Sequence, residues 1–275
     1  MASHNTRVSV PSNVLTSNLV ISNGNLKTQE HLHKIRDWTK EKKMKLNVEK
    51  TKNIIFNFSK DSQFTTDIEL DGKAIETVKE TKLLGTVITD RLDWTKNTDK
   101  IVKEANKRMV FLHKSSKFTC NKSDLKKIYI LQIRSKLEQS AVVWHSSLTQ
   151  KCKNKLERVQ KSALRLILGD QFFSYKNALK VLNLQTLDER RESLCLGFAK
   201  KCLQENKFKS MFPKKPQIHN MKRRTNEKFI VKRSFTERHR KSAIPSMQRL
   251  LNKVELKRQK VCNQIDSFEP VNLYH

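Results

Sequence analysis

Asp67, Glu69 and Asp71 form the acidic grouping that could serve two-metal phosphoryl transfer. That reaction needs at least two carboxylates converging on ions that take hard oxygen ligands at about 2.0–2.1 Å. The trio instead alternates along a strand that turns at Gly72, so its carboxylates line the exposed face of a hairpin. No Asp-Asp pair occurs anywhere, and the first 36 residues contain no aspartate. Other chemistries lack their signatures: there is no P-loop, G-x-G-x-x-G, H-E-x-x-H or G-x-S-x-G, and five glycines in all are too few for a phosphate-cradling loop. Five cysteines are odd in number and include no C-x-x-C, which argues against a disulfide framework and a zinc module. Cys195 and Cys202 stand seven apart on one helical face, where packing explains them. His31 and His33 point to different faces of a helix and have no third ligand in view. The expectation is a chain with no enzyme activity of its own, no catalytic residue, no metal and no cofactor.

Charge gives the positive signal. Fifty-seven Lys and Arg against 27 Asp and Glu leave a net +30, while 36% apolar residues suffice for a core. Such a surface calls for a polyanion, and phosphate backbones bind largely through counterion release. A membrane partner would need a basic amphipathic helix flanked by bulky apolar residues, or a lipid anchor, and neither is evident. No apolar run approaches 18 residues and no signal-peptide core opens the chain, so an intracellular location is expected, nuclear or cytoplasmic.

Four segments would position these groups. Residues 1–28 read as an irregular N-terminal segment, and residues 29–92 as α+β. A helix over about 28–46 carries Leu32, Ile35 and Trp38; Ile54, Ile55, Phe56 and Phe58 read as a buried strand. Ile68 and Leu70, Asp71-Gly72 and then Ile75 read as a hairpin, and Leu83 to Ile88 as a third strand segment. Residues 93–204 show helical periodicity only. One helix over 99–115 buries Ile101, Ala105, Met109 and Leu112 and sets Lys100, Lys103, Lys107 and Lys114 on another face. A second, after Asn121, carries Leu125, Ile128, Tyr129, Leu131, Ile133 and Leu137 with few polar sides. A third, over 151–168, buries Leu156, Val159, Ala163 and Ile167, exposes Lys151, Lys155, Arg158 and Arg165, and ends at Gly169. A fourth starts at Thr186, which with Glu189 makes a capping box. Residues 205–275 read as a basic, partly disordered tail with at most one helix near 242–262. Pro213-Lys214-Lys215-Pro216 and Lys222-Arg223-Arg224 are candidate phosphate-binding or nuclear-import clusters within it.

The order of short motifs resembles the end of the palm and the thumb of non-LTR (LINE-type) retrotransposon reverse transcriptases. The strings are Ile35-Arg36-Asp37-Trp38, Met44 to Lys52, Asn53-Ile54-Ile55-Phe56, and Lys82-Leu83-Leu84-Gly85. They continue through Leu92-Asp93-Trp94, Ile128 to Glu138, Trp144, Leu156 to Ala163, Glu189-Arg190-Arg191 and Phe198-Ala199. The resemblance spans about residues 30–213. It implies a small antiparallel palm-end sheet with one helix, followed by an all-α thumb-like bundle and the basic tail. It also implies that Asn47 and Lys50 belong to the motif D loop, where the family places a lysine near the triphosphate, and that Leu84 and Gly85 belong to the primer-grip hairpin. The basic faces of the helices at 99–115 and 151–168 would then lie against RNA, DNA or an RNA–DNA hybrid.

The family activity is RNA-directed DNA polymerisation, supported by aspartates that have no counterpart in this sequence. The expectation is therefore a remnant that binds nucleic-acid backbone without polymerising. The alternatives are part of an active enzyme, using Mg²⁺ once joined to an upstream reverse transcriptase segment, and a host scaffold or adaptor protein.

Overall fold

A computed structural model of the chain describes residues 25–58, 67–118, 121–215 and 228–266. These are mostly helical, with two small antiparallel hairpins, and the chain divides into two compact units at Trp94/Thr95.

In the N-terminal unit, α1 (Asn25–Glu41) is followed by β1 (Glu69–Leu70), β2 (Lys73–Ala74), β3 (Glu80–Leu83) and β4 (Thr86–Thr89). The helix stops at residue 41, not 46. Lys43 takes a positive φ of 53°, and the Met44 and Lys43 amides donate back to the Thr39 and Lys40 carbonyls, a Schellman end closed by a non-glycine residue. β1 and β2 pair around Asp71-Gly72, both at positive φ, as the mirror-image two-residue turn requires.

The expected strand from Leu83 to Ile88 is instead a hairpin. Leu84 and Gly85 have φ of 46° and 84° and make its turn, with Leu83 paired to Thr86. The buried strand expected at Ile54–Phe58 also fails. Ile54, Ile55 and Phe56 are only half-buried, Phe58 is exposed, and among the described residues no strand forms there, Asn53 making a parallel bridge to Thr77. Two separate hairpins thus replace one sheet. A small core at the first hairpin is Ile68, Leu70 and Ile75, with Leu32, Leu46 and Val48 packed on it. The Gln29 side-chain amide extends the edge by exchanging two hydrogen bonds with the Glu69 backbone, at 2.8 and 3.1 Å.

The C-terminal unit is helical. α2 (Thr95–Lys117) and α6 (Gln150–Leu168) are its main pair. Thr95 touches Cys152, and Asp99 pairs with Lys155 one turn on, so the two helices run parallel in register. Between them lie α3 (Lys122–Ile128), a π-helical stretch (Tyr129–Arg134), α4 (Ser135–Leu137) and α5 (Ala141–Trp144). The stretch has a sequence cause. Leu125, Tyr129, Ile133 and Leu137, all buried, recur every fourth residue. At 3.6 residues per turn such a stripe drifts by about 40° per step, and local underwinding to i→i+5 bonding keeps it facing inward. Leu131, expected inside, is 67% exposed because it falls off this stripe.

α7 (Tyr175–Val181), which the sequence reading did not foresee, leads to α8 (Leu187–Gln204), whose Thr186–Glu189 capping box forms. Part of the segment expected as a tail packs on α8, among its described residues. α9 (Glu237–Arg240) and α10 (Ala243–Asp266) follow α8, and Phe212, Phe229, Met247 and Leu251 bury against Cys195, Ala199 and Cys202. Two buried amides tie this part down. Asn252 accepts from the Phe229 amide at 2.8 Å and donates to its carbonyl at 3.0 Å, and Gln248 donates to the Met211 carbonyl at 2.8 Å. Lys214 bridges to Phe229, so Pro213-Lys214-Lys215 belongs to an ordered pairing, whereas Lys222-Arg223-Arg224 lies outside the described residues.

Candidate nucleic-acid interface

The apolar stripes of α2 and α6 turn inward, with Ile101, Ala105 and Leu112 on the first and Leu156, Val159, Ala163, Leu164 and Ile167 on the second. A helix buried on one face presents its opposite face to solvent. Lys103, Lys107 and Lys114 of α2 and Lys151, Arg158 and Arg165 of α6 are accordingly exposed. Among the described residues, no ion pair engages these six.

Two of the eight expected residues differ. Lys155 is half-buried and paired with Asp99, so it ties the two helices together. Lys100 is half-buried beside Glu104 at 3.9 Å, and Glu104 also takes Lys136 at 3.1 Å. Neither presents a full free charge to a ligand.

Aromatic residues missed at the sequence level sit among the lysines. Phe111 is 56% exposed, and Phe118, just past the end of α2, is 72% exposed. Lys107 precedes Phe111 by one turn, and Lys114 lies between the two rings. Their i, i+7 spacing within a basic face was the available signal, because cations interleaved with exposed rings suit backbone contact and base stacking. At the far end of α6, Phe173 is 83% exposed and the Arg165 guanidinium sits 4.9 Å from the Phe172 ring centre.

The expected motif residues of the N-terminal unit lie in two turns. Asn47 accepts from the Lys50 amide through Oδ1 at 3.1 Å, closing a turn that leaves Lys50 exposed. Leu84, 70% exposed, and Gly85 form the β3–β4 turn. Asp67, Glu69 and Asp71 are exposed, and among the described residues no three His, Cys, Asp or Glu side chains gather as metal ligands. No helix among the described residues is long and apolar enough to cross a membrane.

No family model, curated protein or solved structure matches the chain.

Two buried polar clusters also escaped the sequence reading. In the first, Tyr129 donates to Gln160, and Gln160 donates to Tyr175 at 2.8 Å and to the Gln185 carbonyl at 3.0 Å. Tyr175 in turn donates to Glu157, which also accepts from the Leu187 amide at 3.2 Å. Burial raises both phenol pKa values far above the ordinary one, so they stay protonated donors.

The second cluster surrounds Arg191, which has no exposed surface. Its Nε donates to His145 Nδ1 at 3.3 Å, its guanidinium lies 5.8 Å from the Trp144 ring, and Nη2 is 3.8 Å from Asp188 Oδ1. Neither Nη atom has a hydrogen-bond acceptor among the described residues. Burial, followed by the Arg191 charge, pushes the His145 pKa down to about 4. Burial works against the Asp188 carboxylate, but Lys153, at 2.9 Å, together with His145 and Arg191 holds its pKa below the ordinary value. The signal was positional. Leu187, Arg191, Cys195, Ala199 and Cys202 share the buried stripe of α8, whereas neighbouring Arg190 points to Glu138 at 3.3 Å.

Proposed function

We propose that this protein binds nucleic-acid backbone, as a thumb-like helical bundle of the non-LTR reverse transcriptase type, and does not polymerise. The observation that carries the reading is the pair of parallel helices with six exposed cations that form no ion pair among the described residues, beside the exposed Phe111 and Phe118. Binding is electrostatic and largely indifferent to sequence, and the rings Phe111 and Phe118 favour single-stranded or splayed bases. The missing Asp-Asp pair and the dispersed, exposed carboxylates of Asp67, Glu69 and Asp71 support binding without nucleotide transfer.

The test is fluorescence anisotropy of a labelled RNA–DNA primer-template over a salt series, run beside primer extension with Mg²⁺. Affinity is expected to fall log-linearly with salt, with a slope of about −0.7 to −0.9 per phosphate contact. Replacing Lys103, Lys107, Lys151 and Arg158 with Gln is expected to flatten that slope by roughly two to four. An unchanged slope removes the ridge from the reading, and nucleotide incorporation overturns the non-catalytic half.

A further inference from the structure

Besides the basic ridges, the same unit holds a second concentration of charge, with a different geometry. A cleft of about 310 Å³ lies between α5, α8 and α10. Lys153, Arg249 and Lys253 line it with Asp188 and Glu192. The Arg191 guanidinium sits behind the wall, and its neighbours His145, Asp188 and Cys195 form part of that wall. Lys153 neutralises Asp188 at 2.9 Å and Lys253 faces Glu192 at 3.6 Å. Among the described residues Arg249 forms no ion pair, and Arg191 reaches Asp188 only at 3.8 Å, so these four cations and two carboxylates leave two positive charges in excess.

Buried charge is ordinarily paired, because an isolated ion in a low-dielectric interior is costly. Arg191 departs from that rule: among the described residues its Nη1 and Nη2 have no hydrogen-bond acceptor, and the carboxylate it pairs with, 3.8 Å away, is shared with Lys153. Arg249 is anchored, with Nη2 donating to the Arg240 carbonyl and to Ser246 Oγ at 3.2 Å, so its position at the cleft is fixed. Ser246 lines the cleft, as does Ser146, whose buried Oγ has no partner among the described residues. An anchored arginine, two lysines, hydroxyls and a two-charge surplus in a small concave site match one ligand chemistry.

We propose that this cleft binds a phosphomonoester dianion, either free or at the end of a nucleic acid. Lys153, Arg249 and Lys253 supply the direct cationic contacts, and Arg191 acts from behind the wall through its field, which a low local dielectric leaves strong. The volume admits a phosphate with one small attached group, at the lower end of the range of small-ligand sites, and excludes a duplex. A monoanionic carboxylate would answer only half of the surplus.

The test uses the full chain and isothermal titration with inorganic phosphate, at ionic strength held constant with chloride. Saturable binding at one site is expected, with adenosine monophosphate competing and adenosine failing to compete. Arg249→Gln with Lys253→Gln is expected to weaken phosphate at least tenfold, while Lys103→Gln with Arg158→Gln leaves it unchanged. Circular dichroism melts in chloride check the fold, and the single Lys253→Gln variant, whose side chain is 63% exposed, serves if the double variant unfolds. Equal losses in both pairs, or titrations that never saturate, overturn the proposal by reducing it to the general ion atmosphere. Oligonucleotides with and without a 5′-phosphate separate the sources. A preference for the phosphorylated end that the cleft variant abolishes assigns a nucleic-acid terminus, and equal binding of both assigns the free ligand. Salt-dependent ridge binding is read from different residues, so either result can fail without the other.

Discussion

The ridge on α2 and α6 and the cluster around Arg191 hold the same kind of charge in opposite surroundings. Lys103, Lys107 and Arg158 stand in water, where a cation retains its hydration and interacts weakly with its neighbours. Arg191 has none of that hydration, and what replaces it is a neutral imidazole, an aromatic face and a distant carboxylate. The difference teaches that the position of a cation on its helix decides its energetic role. The ridge sits opposite the apolar stripe, and Arg191 sits in the stripe itself.

The strongest way to break this contrast is truncation. Arg191→Ala is expected to cost on the order of 3–5 kcal/mol, since it opens a cavity and strips His145 and Asp188 of a neighbour. Arg158→Ala should stay within about 0.5 kcal/mol. Urea denaturation of both variants decides it, and equal effects would end the distinction. Arg191→Met separates charge from volume. It keeps the packing and is expected to cost much less than Arg191→Ala, because an apolar side chain of similar length can replace a poorly paired buried charge at little penalty.

The next effect is a pH dependence. His145 has its folded pKa pushed down to about 4 from the ordinary 6.5, so the unfolded chain takes up that proton first. Stability present above pH 6.5 is therefore lost as pH falls from 6.5 toward 4. At about 1.4 kcal/mol per pKa unit, the loss from this one residue approaches roughly 3 kcal/mol. Arg191 contributes to that shift while Asp188 opposes it, so Arg191→Met is expected to move the loss to lower amplitude. His145→Gln should remove it while keeping an acceptor for Arg191 Nε. Denaturation midpoints measured between pH 4 and 7 for the three proteins check the sign, and an unaltered slope in His145→Gln would place the titration elsewhere.

How much of this was legible depended on how far a residue's partners lie along the chain. The stripes of α2 and α6 repeat at helical spacing within each element, and both helices and their basic faces stood out from the sequence alone. The Thr186–Glu189 cap and the Asp71-Gly72 turn were legible for the same reason, because their partners are three residues or fewer away. Phe212 and Phe229 looked like stray apolar residues in a basic tail. Their partners on α8 and α10 lie 10 or more residues away, and the amides of Gln248 and Asn252 that satisfy the backbone there come from 37 and 23 residues away. The Arg191–His145 bond spans 46 residues and Tyr129–Gln160 spans 31, and no local pattern encodes either. Residue patterning alone read β3–β4 as one strand, where the family resemblance implied a hairpin, because Leu84 occupies a positive-φ position that glycine or asparagine normally fills, leaving Gly85 as the lone turn signal in an apolar run.

Tyr129→Phe asks whether the uncharged buried network is as sensitive as the charged one. Removing the phenol oxygen leaves Gln160 Oε1 without its donor in a fully buried place, at an expected cost of about 1–3 kcal/mol. That lies below Arg191→Ala because no charge is uncovered. Tyr175→Phe should cost less than Tyr129→Phe, since Tyr175 is only partly buried and water can replace its hydroxyl at Glu157. Thermal melts of both variants rank the network, and a reversed order would mean that burial is not what sets its strength.

The smallest effect belongs to the ridge, and its sign is opposite. Lys103 and Lys107 are one turn apart with no acidic partner among the described residues, and like charges at i, i+4 repel by a few tenths of a kcal/mol. Lys107→Gln is therefore expected to stabilise the fold slightly at low ionic strength. The gain should vanish near 1 M salt, where the screening length falls to about 3 Å. Melts of the wild type and Lys107→Gln across a salt series read this directly. A cation that weakens the fold it stands on, and loses that effect on screening, is placed for something outside the chain; a salt-independent change would instead make Lys107 part of the packing.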